Sequence, residues 1–115
     1  MKLRVLALAS VFLISACASS SSTDYGAETI ESACEAVREG FLWLHDDSKS
    51  DSEQLSEANK WFDEAIPVFR DLSGSNPKYV EYLEILGRIK TKYTYSFSDD
   101  YEARPLQSFC SVPVP

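Results

Sequence analysis

The sequence predicts an all-α fold: a small antiparallel three-helix bundle with a short C-terminal helix or clasp tied by a disulfide. Three observations predict it. Apolar residues recur at steps of three and four over three long stretches. Polar, Gly and Pro punctuation separates those stretches. Two cysteines, Cys34 and Cys110, stand at opposite ends of the helical region.

The first helix is expected over Ala27 to His45. Ile30, Ala33, Cys34, Val37, Phe41 and Leu44 make one apolar face, with Glu31, Glu35, Arg38 and Glu39 off it. His45 to Ser52 is a polar break. The second helix runs from about Ser52 to Ser73, with Ser50 and Glu53 at capping-box spacing. Its stripe is Leu55, Ala58, Phe62, Ala65, Phe69 and Leu72, widened by Ile66. Pro67 interrupts that stripe and predicts a kink near Asp63. Gly74 ends the helix.

Asn76 caps the third helix, with Pro77 at its first position. Tyr79, Tyr82, Leu83, Leu86, Ile89 and Tyr93 line its face. Residues 93–97 fit two readings. Tyr93, Tyr95 and Phe97 alternate like a strand, yet Leu86, Ile89, Tyr93 and Phe97 keep helical spacing. A lone strand has no partner for its backbone, so helix to about Tyr95 is expected. Ser98 to Arg104 reads as a loop, and Pro105 opens a short helix presenting Leu106, Phe109 and Cys110.

Composition excludes some functions. The 115 residues carry 11 basic and 18 acidic side chains, a net charge of −7. That balance argues against a nucleic-acid partner, which needs a basic stripe. Four glycines offer no phosphate-cradling loop, and no cofactor is expected.

Residues 1–16 read as a targeting segment. Lys2 and Arg4 precede an uncharged run of 12 residues, Val5 to Ala16. As a helix that run is about 18 Å long, short of the ~30 Å hydrocarbon core. It ends in Ile14-Ser15-Ala16-Cys17, which resembles the lipobox of bacterial lipoproteins. An ordinary secretory cleavage site at Ala16 is the alternative. The resemblance implies cleavage before Cys17 and acylation of Cys17, so that the mature protein is held on a membrane by lipid and does not span it. It also implies an extracytoplasmic location, at the outer membrane if the cell is Gram-negative, since Ala18 follows the cysteine. Residues 17–26 are then the acylated cysteine and a Ser-rich tether, and residues 27–115 the helical domain. After cleavage nine basic residues remain against 18 acidic, a charge of −9.

With Cys17 taken by lipid, Cys34 and Cys110 form an even pair in an oxidising compartment, which favours a disulfide over two buried free thiols. By the chain-entropy model such a loop is worth at most about 4.5 kcal/mol. Two cysteines and the single His45 do not make a metal site.

Residues 62–87 resemble a tetratricopeptide hairpin. Ala65, Phe69, Leu72 and Pro77 match its second helix and turn, and Leu86-Gly87 matches the following Leu-Gly pair. Leu83 and Lys90 depart from that pattern, standing where Trp and Tyr are usual. The resemblance implies a peptide-binding hairpin; plain helical packing explains the same spacing. Asp46, Ser48, Ser50 and Glu57 have the ligand spacing of a calcium-binding helix-loop-helix, but Asp51 stands where glycine is required and Lys49 repels a cation. A solvated acidic loop is expected.

Trp43 and Trp61 lie beside the core stripes, where aromatics serve either as interface anchors or as helix-edge packing. A binding surface, if present, is expected around Trp43, Trp61 and Phe62. Tyr95 and Tyr101 are further candidates. An enzyme would need His45 to meet a serine and a carboxylate. The functional expectation is an envelope-anchored interaction, adaptor or structural module without catalysis, with an envelope protein as partner. The alternative is a small-ligand binder with a cavity of about 300 Å³ or more lined by Trp and Tyr.

Overall fold

The computed structural model describes residues 27–113, so the expected targeting segment, Cys17 and the expected tether lie outside the described residues. The described chain is helical: α1 Ala27–Leu44, α2 Asp51–Ser73, α3 Lys78–Lys90, α4 Phe97–Glu102 and α5 Arg104–Phe109. No strand occurs among the described residues.

Helix α2 is central. It packs against α1 on one side and α3 on the other, while α5 bridges α1 and α3. Apolar stripes drive this arrangement. Val37, Phe41, Ala58, Phe62, Ala65, Phe69 and Leu86 are wholly buried, and α5 adds Leu106. The aromatics fall into two groups. Phe41 meets Phe62 at 5.2 Å and Tyr95 at 6.4 Å between ring centroids. Phe69, Tyr79, Tyr82 and Phe109 form the second group where α2, α3 and α5 converge, with Tyr82 and Phe109 4.9 Å apart.

The disulfide is present: Cys34 on α1 is joined to Cys110, the residue capping α5, with a Cα separation of 4.9 Å. Both cysteines are buried. Beside them the Arg38 guanidinium donates to the Cys110 carbonyl at 2.7 Å, satisfying a backbone acceptor that α5 leaves open.

Polar groups set the turns. The Ser50 hydroxyl accepts from the Glu53 amide, starting α2. Buried Gln54 reaches back from α2, its amide donating to the carbonyls of Leu44 at 3.2 Å and Asp46 at 2.7 Å. It thus satisfies acceptors at the C-terminal end of α1. The Asn76 side chain accepts from the Lys78 amide at the start of α3. Helix α2 is unbroken through Pro67, whose side is exposed. Gly74 ends α2 with φ −66°, so its left-handed freedom is not used.

The C-terminal third differs from expectation. Helix α3 stops at Lys90, with the Thr91 hydroxyl bonded to the Arg88 carbonyl. Tyr93 is exposed, so it leaves the helical face assigned to it. Residues 93–96 are neither helix nor strand, and a new helix occupies much of the expected loop.

One close approach fixes the α1–α2 spacing. A Cβ on Gly40 would lie 2.3 Å from the Phe62 ring, which is locked in the core. At Gly87 a Cβ would meet nothing within 4 Å. Gly40→Ala is therefore expected to destabilise the protein by about 1–3 kcal/mol through overpacking. Gly87→Ala should be neutral or stabilising by up to about 1 kcal/mol, from helix propensity alone. Urea unfolding of the two variants, measured side by side, checks the contrast.

Candidate functional site

The site grows from a short helix that its own sequence barely supports. Six residues are too few to form a stable helix alone, so α4 relies on its ends and its contacts. Ser96 is extended, and its hydroxyl accepts from the Asp99 amide while the Asp99 carboxylate accepts from the Ser96 amide. Lys92 adds an ion pair to Asp99 at 2.9 Å. Burial alone would raise the pKa of Asp99, but Lys92 and Ser96 bond to the ionised form and lower it.

Asp100 follows and turns inward, only 5% exposed. Its Oδ1 receives three donors: His45 Nε2 at 2.7 Å, the Tyr95 hydroxyl at 2.8 Å and the Gln107 amide at 2.7 Å. Arg104 lies 3.6 Å from Oδ2. Burial opposes this charge, yet the bonds from His45, Tyr95 and Gln107 hold the carboxyl below its usual value. Tyr95 is displaced upward, first by burial and then by its bond to Asp100. One carboxylate thus joins the end of α1, the loop after α3, α4 and α5.

Next to this network is a pocket of about 180 Å³, lined by Leu44, His45, Asp47, Tyr95, Ser96, Phe97 and Asp100. Phe97 is 81% exposed and Tyr101, one turn later on the same helix face, 69%. Tyr93 on the preceding loop is 93% exposed. A larger open groove between α2 and α3, about 490 Å³, is lined by Ile66, Pro67 and Leu83 among others, with neither Trp nor Tyr.

The residues singled out by sequence have different fates. Cys34 and Cys110 are joined, and Cys17 lies outside the described residues. Trp43 is half-buried, packed against the core with the Lys49 ammonium 5.7 Å from its ring centroid. Trp61 is half-buried. Phe62 is wholly buried beneath Gly40 and against Phe41, so it offers no surface and is corrected to a core residue. Tyr101 is exposed, whereas Tyr95 is drawn inward by Asp100.

The spacing of Asp46, Ser48, Ser50 and Glu57 does not bring them together as ligands. Asp46 accepts from the Ser48 amide and hydroxyl, Ser50 caps α2, and Glu57 pairs with Lys60. His45 meets a carboxylate, but no serine hydroxyl bonds its ring among the described residues. The Ser96 hydroxyl instead donates to the Asp99 carboxylate. Sequence reasoning gave no site role to Asp100, Gln107 or Phe97. The Ser96-x-x-Asp99 spacing was the available signal, because it marks a helix start that places Phe97 and Tyr101 on one face and Asp100 off it.

Compared with known proteins, the chain matches no family model, no curated protein and no solved structure.

The depressed Asp100 pKa makes stability acid-sensitive. On unfolding, its carboxyl returns to a value near 3.8, so the unfolded chain takes up the proton first as pH falls. The stabilisation is complete above about pH 4 and lost as pH drops through the lower folded value. Asp100→Asn should lower stability near neutral pH by about 1–3 kcal/mol, leaving buried donors poorly matched. The gap between variant and parent should narrow below about pH 4. Urea titrations across that range test both statements.

Proposed function

We propose that this chain is a lipid-anchored bacterial envelope protein whose disulfide-clasped helical domain is an interaction module. The observation that carries the interaction reading is α4. Asp100 holds this six-residue helix firmly from beneath, while the helix presents Phe97 and Tyr101 to solvent. Exposed aromatics on a fixed backbone lose little conformational entropy on binding, which suits them as interface anchors. Trp43 and Trp61 are half-buried and give weaker anchors.

The envelope reading is supported by Ile14-Ser15-Ala16-Cys17 behind a charged start and an apolar run. A buried Cys34–Cys110 disulfide accords with an oxidising compartment. Among the described residues no helix is long and apolar enough to cross a membrane, so lipid at Cys17 would supply the attachment. The fold fits an antiparallel α1–α2–α3 arrangement, with α4 and α5 as its clasp. A small-ligand role has less support. The pocket beside His45 is about 180 Å³, below the ~300–1,000 Å³ of common ligand sites. The α2–α3 groove of about 490 Å³ reaches that size but is open and carries neither Trp nor Tyr.

Two experiments test the proposal. Cys17→Ala should remove the acyl mass and leave the signal segment uncut, read by fractionation and intact mass. Retention in the membrane with unchanged mature mass would reject the anchor. A photocrosslinking residue at position 101 should capture a defined envelope protein in intact cells. Placed instead at exposed Glu84 on α3, it should not capture that protein. Equal capture from both positions would reject α4 as the interface.

A further inference from the structure

The pocket beside α4 is built for a particular kind of side chain. Its volume, about 180 Å³, is too small for a drug-sized ligand but gives room for one long side chain. Leu44 and Tyr95 supply apolar lining, and Phe97 supplies a ring left open to solvent. The acidic groups are Asp47 and Asp100. Asp100 is committed to its internal donors, whereas the Asp47 carboxylate is exposed and has no hydrogen bond or ion pair among the described residues.

A recess of mixed apolar and polar lining, with an open aromatic ring and a free carboxylate, complements an elongated cation. A methylene stem matches the apolar lining, and its charged head can meet the ring face and the carboxylate together. The same fold already pairs cations with rings. The Lys78 ammonium sits 5.2 Å from the Tyr79 ring centroid and 4.7 Å from that of Phe109. An anion would face two carboxylates against one imidazole. The net charge of −7 also favours a basic partner at long range.

We propose that this pocket receives an arginine side chain from a basic segment of a protein partner, an inference that rests on the interaction reading above. Arginine fits better than lysine, because its flat guanidinium stacks on a ring while its N–H groups reach a carboxylate. The pocket is then the specific part of the interface, and Tyr101 and Tyr93 extend it.

The test uses the full chain and its single histidine. His45 lines the pocket, so its imidazole resonances report occupancy without ambiguity. A short arginine peptide is titrated in, with the equal-length citrulline peptide as neutral isostere. The arginine peptide should shift the His45 signals saturably, and the citrulline peptide should bind at least about threefold more weakly. Asp47→Asn and Phe97→Ala should each weaken arginine binding by about threefold or more. Both side chains are exposed, so neither change disturbs the core. Glu64→Gln, an exposed position on α2, should leave binding unchanged. Equal binding of the two peptides, no shift at His45, or equal weakening by Glu64→Gln and Asp47→Asn would each overturn the proposal. The titration reads the pocket and not the anchor, so its failure leaves the fractionation result standing.

Discussion

A single buried carboxylate organises the end of the molecule that differs most from a plain helical hairpin. Asp100 collects His45 from the end of α1, Tyr95 from the loop after α3, and Gln107 from α5. Two six-residue helices have no stability of their own. Their positions depend on that shared acceptor at one end and on the Cys34–Cys110 bond at the other. The donor set also resolves the cost of burying a charge. Each hydrogen bond to the ionised form offsets desolvation, and removing any one donor leaves the others to carry it. The exposed ring of Phe97 and the free carboxylate of Asp47 stand beside this network.

The long helices were legible because their apolar residues follow one period over several turns. Ile30 through Leu44 and Leu55 through Phe69 needed no tertiary information to be read as faces. The cysteine pair was legible from count and position. The region after Lys90 was not, because Tyr93 and Phe97 extend the helical period yet both end in solvent. Periodicity cannot distinguish an aromatic that belongs to a face from one that happens to fall in register with it. The deciding information was local and polar: the Thr91 hydroxyl closing α3 and the Ser96–Asp99 pair opening α4. Phe62 shows the opposite error, since membership in a core stripe already argued against a surface role.

Asp100 was hidden for a different reason. Residues 98–104 read as a loop, and within that stretch Asp99 is a cap. What sends its neighbour inward is the convergence of His45, Tyr95 and Gln107, residues 55, five and seven positions away. No pattern within one segment carries that. Gln54 is the same case on a smaller scale, a polar residue on an apolar face whose purpose is the open carbonyls of another helix.

The cross-link between Cys34 and Cys110 also has a mechanical meaning. It joins a point near the start of the described chain to a point near its end, 76 residues apart. Tension applied between the two ends of the domain therefore passes through one covalent bridge. Only the first turns of α1 and the few residues after Cys110 bear load. The hydrophobic contacts of α2 and α3, the Asp100 network and the α4 surface lie inside the bridged loop and are shielded from the pull. A pull between those two ends reaches the helices only through the bridge, so they stay packed under strain that would otherwise peel them apart one by one.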